Sequence, residues 1–138
     1  MLTEAEALLL FAAGLQCLQL PGMIVGQHYL GWRADLAQLT PVSRRLVVAL
    51  GVGITLYVLG SACITFRYSH ALAVSDLGHA LCALQAIAWS ARAAQQFLSL
   101  GPRWPSHVRW LHRSLSAIYT TLALTYVMVL LVVAKVPG

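Results

Sequence analysis

LAVSDLGHALCALQAIAWSARAAQQFL, residues 72–98, is apolar along most of its length and yet carries Asp76, His79, Gln85, Trp89, Arg92, Gln95 and Gln96. At about 1.5 Å of rise per residue such a helix reaches about 40 Å, more than the roughly 30 Å hydrocarbon core of a bilayer. At about 100° per residue, Cys82, Gln85, Trp89, Arg92 and Gln96 fall within an arc of about 80°. An arginine on a spanning helix is costly unless it turns to a protein interior, a wet cavity or the interface. The stretch is therefore expected to be a transmembrane helix with a polar seam, and the remaining helices must cover that seam.

Composition supports this. Of 138 residues, 59% are hydrophobic and 9% charged, and the mean hydropathy is +0.76, outside the range of ordinary soluble domains. The length accommodates four spans with short connections: an all-α bundle of four transmembrane helices over residues 7–28, 46–66, 72–98 and 108–134, forming one domain. Nine Lys and Arg against four acids give a net charge of +5. The basic residues sit in short connections, which is the pattern of membrane orientation and argues against nucleic-acid binding. The start MLTEAEALLLF lacks a basic leader and carries Glu4 and Glu6, so it reads as a retained first helix. Cys17, Cys63 and Cys82 fall inside apolar runs without CxxC spacing, which predicts buried small apolar side chains and no disulfide framework.

Span one is expected to bend at Pro21-Gly22. Gln16, Gln19, Met23 and Gln27 form a second polar stripe on it, and Gly22…Gly26 is a GxxxG pattern suited to close helix packing. Residues 31–43 read as a loop in which Trp32 and Arg33 anchor at the interface and Asp35 is placed to pair with a base. Thr40-Pro41 reads as a helix cap with proline at the first helical position. Span two, with Gly51, Gly53, Gly60 and Ser61, reads as a packing helix. The short turn 67–71 predicts that spans two and three are antiparallel neighbours, with His70 solvated. Gly101 to Ser106, with Pro102 and Pro105, turns the chain into span four, and Trp104 and Trp110 suit the interface. On span four, His112, Ser116, Tyr119, Ala123 and Tyr126 share a third stripe.

Arg33, Arg44 and Arg45 in the first connection and Arg103, Arg109 and Arg113 around the third outweigh Arg67 in the second. The positive-inside rule then puts connections one and three in the cytoplasm and both termini outside. Lys135 is a contrary feature.

The run His28 to Leu36, HYLGWRADL, with Leu39 to Arg45, LTPVSRR, resembles the first loop of small bacterial four-span membrane proteins of uncharacterised function, and Ala91 to Phe97 is similar to the end of their third span. The resemblance covers about a fifth of the chain. It implies a bacterial cytoplasmic-membrane protein and no particular activity.

With that topology Gln19, Gln27, Gln85, Trp89, Arg92, Gln96, His112, Ser116 and Tyr119 are candidates to line one cytoplasm-facing cavity for an anion, a lipid headgroup or a quinone carbonyl. The simpler alternative makes the glutamines interhelical glue and lets Arg92 snorkel to the headgroups. His28 and His112, at similar depth, are a candidate pair for haem b in a haem or quinone redox subunit. Asp76 and His79, three apart, are expected to pair. The sequence holds no GxSxG, HExxH or phosphate-loop motif and no metal-ligand spacing. The sequence therefore favours a non-enzymatic component or accessory subunit of a membrane assembly, in contact with the lipid bilayer and with other subunits or copies of itself. A cavity-based binding or transport protein is the alternative.

Overall fold

Thr3 starts the first helix by a capping box. Its Oγ1 accepts from the Glu6 N–H (3.2 Å), and the Glu6 carboxylate accepts from the Thr3 N–H (2.6 Å). Helix α1 then runs as Glu4–Tyr29, continuously through Pro21. The computed structural model describes residues 3–100 and 106–135. The expected turn residues Gly101, Pro102, Arg103, Trp104 and Pro105 lie outside the described residues.

The expected loop 31–43 is largely helical. Gly31 takes φ 65°, a left-handed conformation that costs glycine nothing, and a two-turn helix α2 follows, Trp32–Gln38. Its terminal carbonyls are satisfied by Arg44, which donates to Leu36 O (2.8 Å) and Ala37 O (3.0 Å). Asp35 forms no salt bridge among the described residues. Thr40 caps α3 as the sequence indicates, its Oγ1 accepting from Ser43 N–H (3.3 Å) with Pro41 at the first position, and α3 spans Pro41–Arg67.

Residues 72–98 are not one helix. Helix α4, Ser69–Val74, ends at Ser75, which turns extended (φ −107°, ψ 147°) and caps α5, Asp76–Gln95, through Gly78 N–H to Ser75 Oγ (3.0 Å). Gly78 permits the corner, because a Cβ there would meet the Leu72 backbone. A π-helical turn, Gln96–Leu100, closes the segment. A 3₁₀ turn, Ser106–Val108, leads into α6, Arg109–Ala134.

Helices α1, α3 and α6 are each long and apolar enough to cross a membrane, whereas the shorter, more polar α5 is not among them. The closely packed pairs are α5 with α6 and α1 with both α3 and α6. Helices α3 and α5 pack less closely than these pairs, though Gln85 of α5 hydrogen-bonds to Tyr57 and Ser61 of α3. The short α4 joins them at one end while their other ends diverge. The GxxxG motif does serve close packing, since a Cβ at Gly22 or Gly26 would touch Leu115 or Leu111 of α6 at 3.6 and 3.5 Å. The core runs through Leu9, Val58, Leu115, Leu122, Tyr126 and Val129. Large apolar side chains such as Ile24, Val42, Leu56, Phe66, Leu77 and Leu98 cover the outside, a surface made for lipid or another apolar partner. Cys82 is buried, but Cys17 and Cys63 lie on this exposed surface, contrary to expectation, and all three are free thiols.

Candidate ligand cavity

The divergence of α3 from α5 leaves a cavity of about 610 Å³ bounded by α1, α3, α5 and α6, with Trp32 of α2 at its edge. Its wall is mainly apolar, built from Met23, Ile54, Val58, Ala88, Leu115 and the aromatic faces of Trp89 and Tyr119. Gly22, Gly26 and Gly51 keep the wall thin where α1 and α3 bound it. On the α3 side the lining residues Ile54 and Tyr57 are about half exposed, so the cavity is open on that flank.

Six of the nine expected cavity residues are there: Gln19, Gln27, Trp89, Arg92, Gln96 and Tyr119. Trp89 and Tyr119 stack with centroids 6.0 Å apart and planes 19° apart. The Arg92 guanidinium lies 4.9 Å from the Tyr119 ring centroid and donates to Gln95 Oε1 (2.7 Å). Arg92 is thus folded along the wall and does not extend away from the bundle.

The other three lie elsewhere. Gln85 accepts from Tyr57 OH (2.9 Å) and donates to Ser61 Oγ (2.5 Å), joining α5 to α3, and it lines a smaller cavity of about 70 Å³ with Thr65, Cys82 and Tyr126. His112 stands behind the wall, its Nδ1 accepting from the Gln96 amide (2.9 Å), and Ser116 donates to His112 O (2.8 Å). His28 is exposed at the end of α1, in edge contact with Tyr29. Neither His28 nor His112 lines the cavity. No group of three metal-ligating side chains occurs among the described residues.

Two local pairings also differ from expectation. His79 Nε2 is 3.0 Å from Ala73 O across the Ser75 corner, and Asp76, exposed in the first turn of α5, makes no salt bridge among the described residues. His70, expected to be only solvated, meets Glu6: its Nδ1 is 2.7 Å from the carboxylate. Glu6 sits ahead of the apolar run that begins at Ala7. Its carboxyl is held below the ordinary range, first by the Thr3 backbone N–H and then by His70.

Beside the cavity the polar bookkeeping is incomplete. Gln19, Trp89 and Gln96 are only 2%, 4% and 0% exposed, yet Gln19 Oε1, Trp89 Nε1 and Gln96 Oε1 have no partner among the described residues. Buried groups of this kind are ordinarily paired, and each costs about 1–3 kcal/mol when left alone. Tyr57 and Gln95 are wall residues the sequence did not single out. Tyr57 had one signal, as the single tyrosine of the apolar α3, but nothing in its spacing pointed inward.

No protein-family model matches the chain, and no curated protein or solved structure is detectably similar to it. Fold and cavity together define the class: an all-helical bundle with three membrane-length helices and a mainly apolar pocket that has Arg92 in its wall.

Proposed function

We propose that this is a small integral membrane protein in which α1, α3, α5 and α6 all cross the bilayer, and that its cavity binds a bilayer-borne ligand with a polar head. One observation carries the binding role. A mainly apolar pocket of about 610 Å³ has Arg92 and the polar side chains of Gln27 and Gln95 at its wall, the combination of shape and few polar groups that small-molecule sites have. Helix α5 completes a fourth crossing when α4 before it and the π turn after it are counted. Flanked by α6 and the cavity, it is spared the cost of presenting Arg92 to lipid. The arginine distribution supports a bacterial cytoplasmic-membrane orientation with the α2 end inside and both termini outside.

The test is thermal unfolding of the purified protein in a mild detergent against a panel of amphiphiles, with native mass spectrometry for retained lipid. Wild type is expected to gain stability with at least one amphiphile. Ala88→Phe, which fills the cavity, is expected to fold and to lose that gain. A protein that responds to no amphiphile, and whose Ala88→Phe variant behaves identically, would overturn the binding role.

A second reading, an accessory subunit of a membrane assembly, is favoured by α3. Gly53 and Gly60, seven apart and exposed, have nothing within 4 Å of a notional Cβ, which leaves a smooth surface for another helix. Cross-linking in native membranes followed by subunit identification tests it: a chain recovered only as a monomer, without partners, would count against it.

A further inference from the structure

We infer that the cavity ligand is a single-chained anionic lipid, a carboxylate or phosphate head on one acyl tail, entering from the bilayer on the open α3 flank; this rests on the binding role proposed above. Among the described residues Arg92 is the only formally charged one in the cavity wall, and no acidic one lines it. Its partners, the Gln95 amide oxygen and the Tyr119 ring, are neutral, and among the described residues it forms no salt bridge. A cation at a low-dielectric wall is costly without a counter-charge. A neutral quinone carbonyl accepts a hydrogen bond but leaves that charge uncompensated, whereas an anionic head does both.

Trp89, three residues from Arg92 on α5, lines the same cavity and stacks on Tyr119, so the Arg92 guanidinium is held against an aromatic wall that offers it no counter-charge. The tail follows from the rest of the wall. Ile54, Val58, Ala88 and Leu115 are apolar, and the exposed α3 flank lets a chain pass out into lipid. The volume lies in the range of about 300–1,000 Å³ typical of sites for one small ligand, which suits one tail. A carboxylate and a phosphate head both answer the Arg92 charge, and the experiment distinguishes them.

The experiment compares oleate, oleoyl lysophosphatidate and oleyl alcohol, added at equal mole fraction to the full chain in maltoside micelles, by the shift in Tm. One or both anions are expected to stabilise and the alcohol, with the same tail, far less. The larger response of the two assigns the head as carboxylate or phosphate. Arg92→Gln is expected to weaken anion binding by about tenfold or more, as loss of a charge-assisted hydrogen bond does, while Arg92→Lys keeps part of it. Equal stabilisation by alcohol and anions, or an Arg92→Gln protein that keeps the preference for anions, overturns the anionic ligand and leaves the binding role standing. Silence from all three amphiphiles, with Ala88→Phe indistinguishable from wild type, overturns both. Should Arg92→Gln not fold, Arg92→Lys and the alcohol comparison still decide.

Discussion

The two ends of the bundle solve the same problem in opposite ways. At the α4 end most polar side chains find one another: Gln16 donates to Tyr126 OH (2.9 Å) although its Oε1 stays unpaired, Thr65 Oγ1 lies 3.2 Å from the same hydroxyl, Gln85 ties Tyr57 to Ser61, and Glu6 meets His70 at the exposed rim. At the α2 end, Gln19, Trp89 and Gln96 keep buried polar atoms unpaired beside a cavity whose one charge among the described residues is Arg92. The same residue types act as cement where the helices meet and as an unfilled set of partners where they diverge. Polar groups at closed contacts belong to stability, and those at the open flank belong to a ligand.

The largest expected effect breaks the closed end. In Gly78→Ala the added methyl meets the Leu72 backbone at the α4–α5 corner, where neither side yields without moving a helix. A loss of about 3 kcal/mol, the upper range for overpacking, is expected, read as a fall in Tm or in the yield of folded protein from membranes. An unchanged Tm would mean that the corner relaxes freely and that the closed end is not the rigid one.

A sharper comparison uses two glutamines three residues apart on α1. Gln16→Leu removes a partner of the buried Tyr126 hydroxyl together with its own unpaired Oε1, and is expected to cost about 1 kcal/mol. Gln19→Leu removes an unpaired oxygen and is expected to leave the ligand-free protein unchanged, or more stable by up to about 1 kcal/mol. Unfolding curves for the two variants side by side check this. Equal losses would erase the distinction between the two ends.

The smallest effect concerns Glu6. Its carboxyl is lowered in the folded chain, so its contribution is complete above the ordinary carboxyl value of 4.5 and is lost as pH falls through the lowered folded value. Wild-type Tm is expected to decline slightly more than that of Glu6→Gln on acidification below about pH 4.5. Parallel curves would show that the Thr3 and His70 contacts leave stability untouched.

Much of the fold is legible in composition and periodicity. The apolar runs fall where α1, α3 and α6 form, Thr40-Pro41 caps α3, and Gly22 and Gly26 seat α1 against α6. The break at Ser75 is written less clearly. Ser75-Asp76 followed by Gly78 is a cap-and-corner signal, but the surrounding hydrophobic run hides it. The α2 helix was obscured by its shortness, since two turns are too few for a period to show.

The sequence by itself determined which face of each helix is polar, because a 3.6-residue repeat fixes angular position along one axis. It thereby placed Trp89, Arg92 and Gln96 on one seam and Gln19 and Gln27 on another. Only the tertiary structure decided which seams meet. It sent Gln85 to Ser61 and Tyr57, put His112 behind Gln96, separated His28 from the cavity, and joined His70 to Glu6 across 64 residues. The physical reason is that helix order and spacing around a bundle depend on how all side chains pack at once. No single helix's periodicity carries that information.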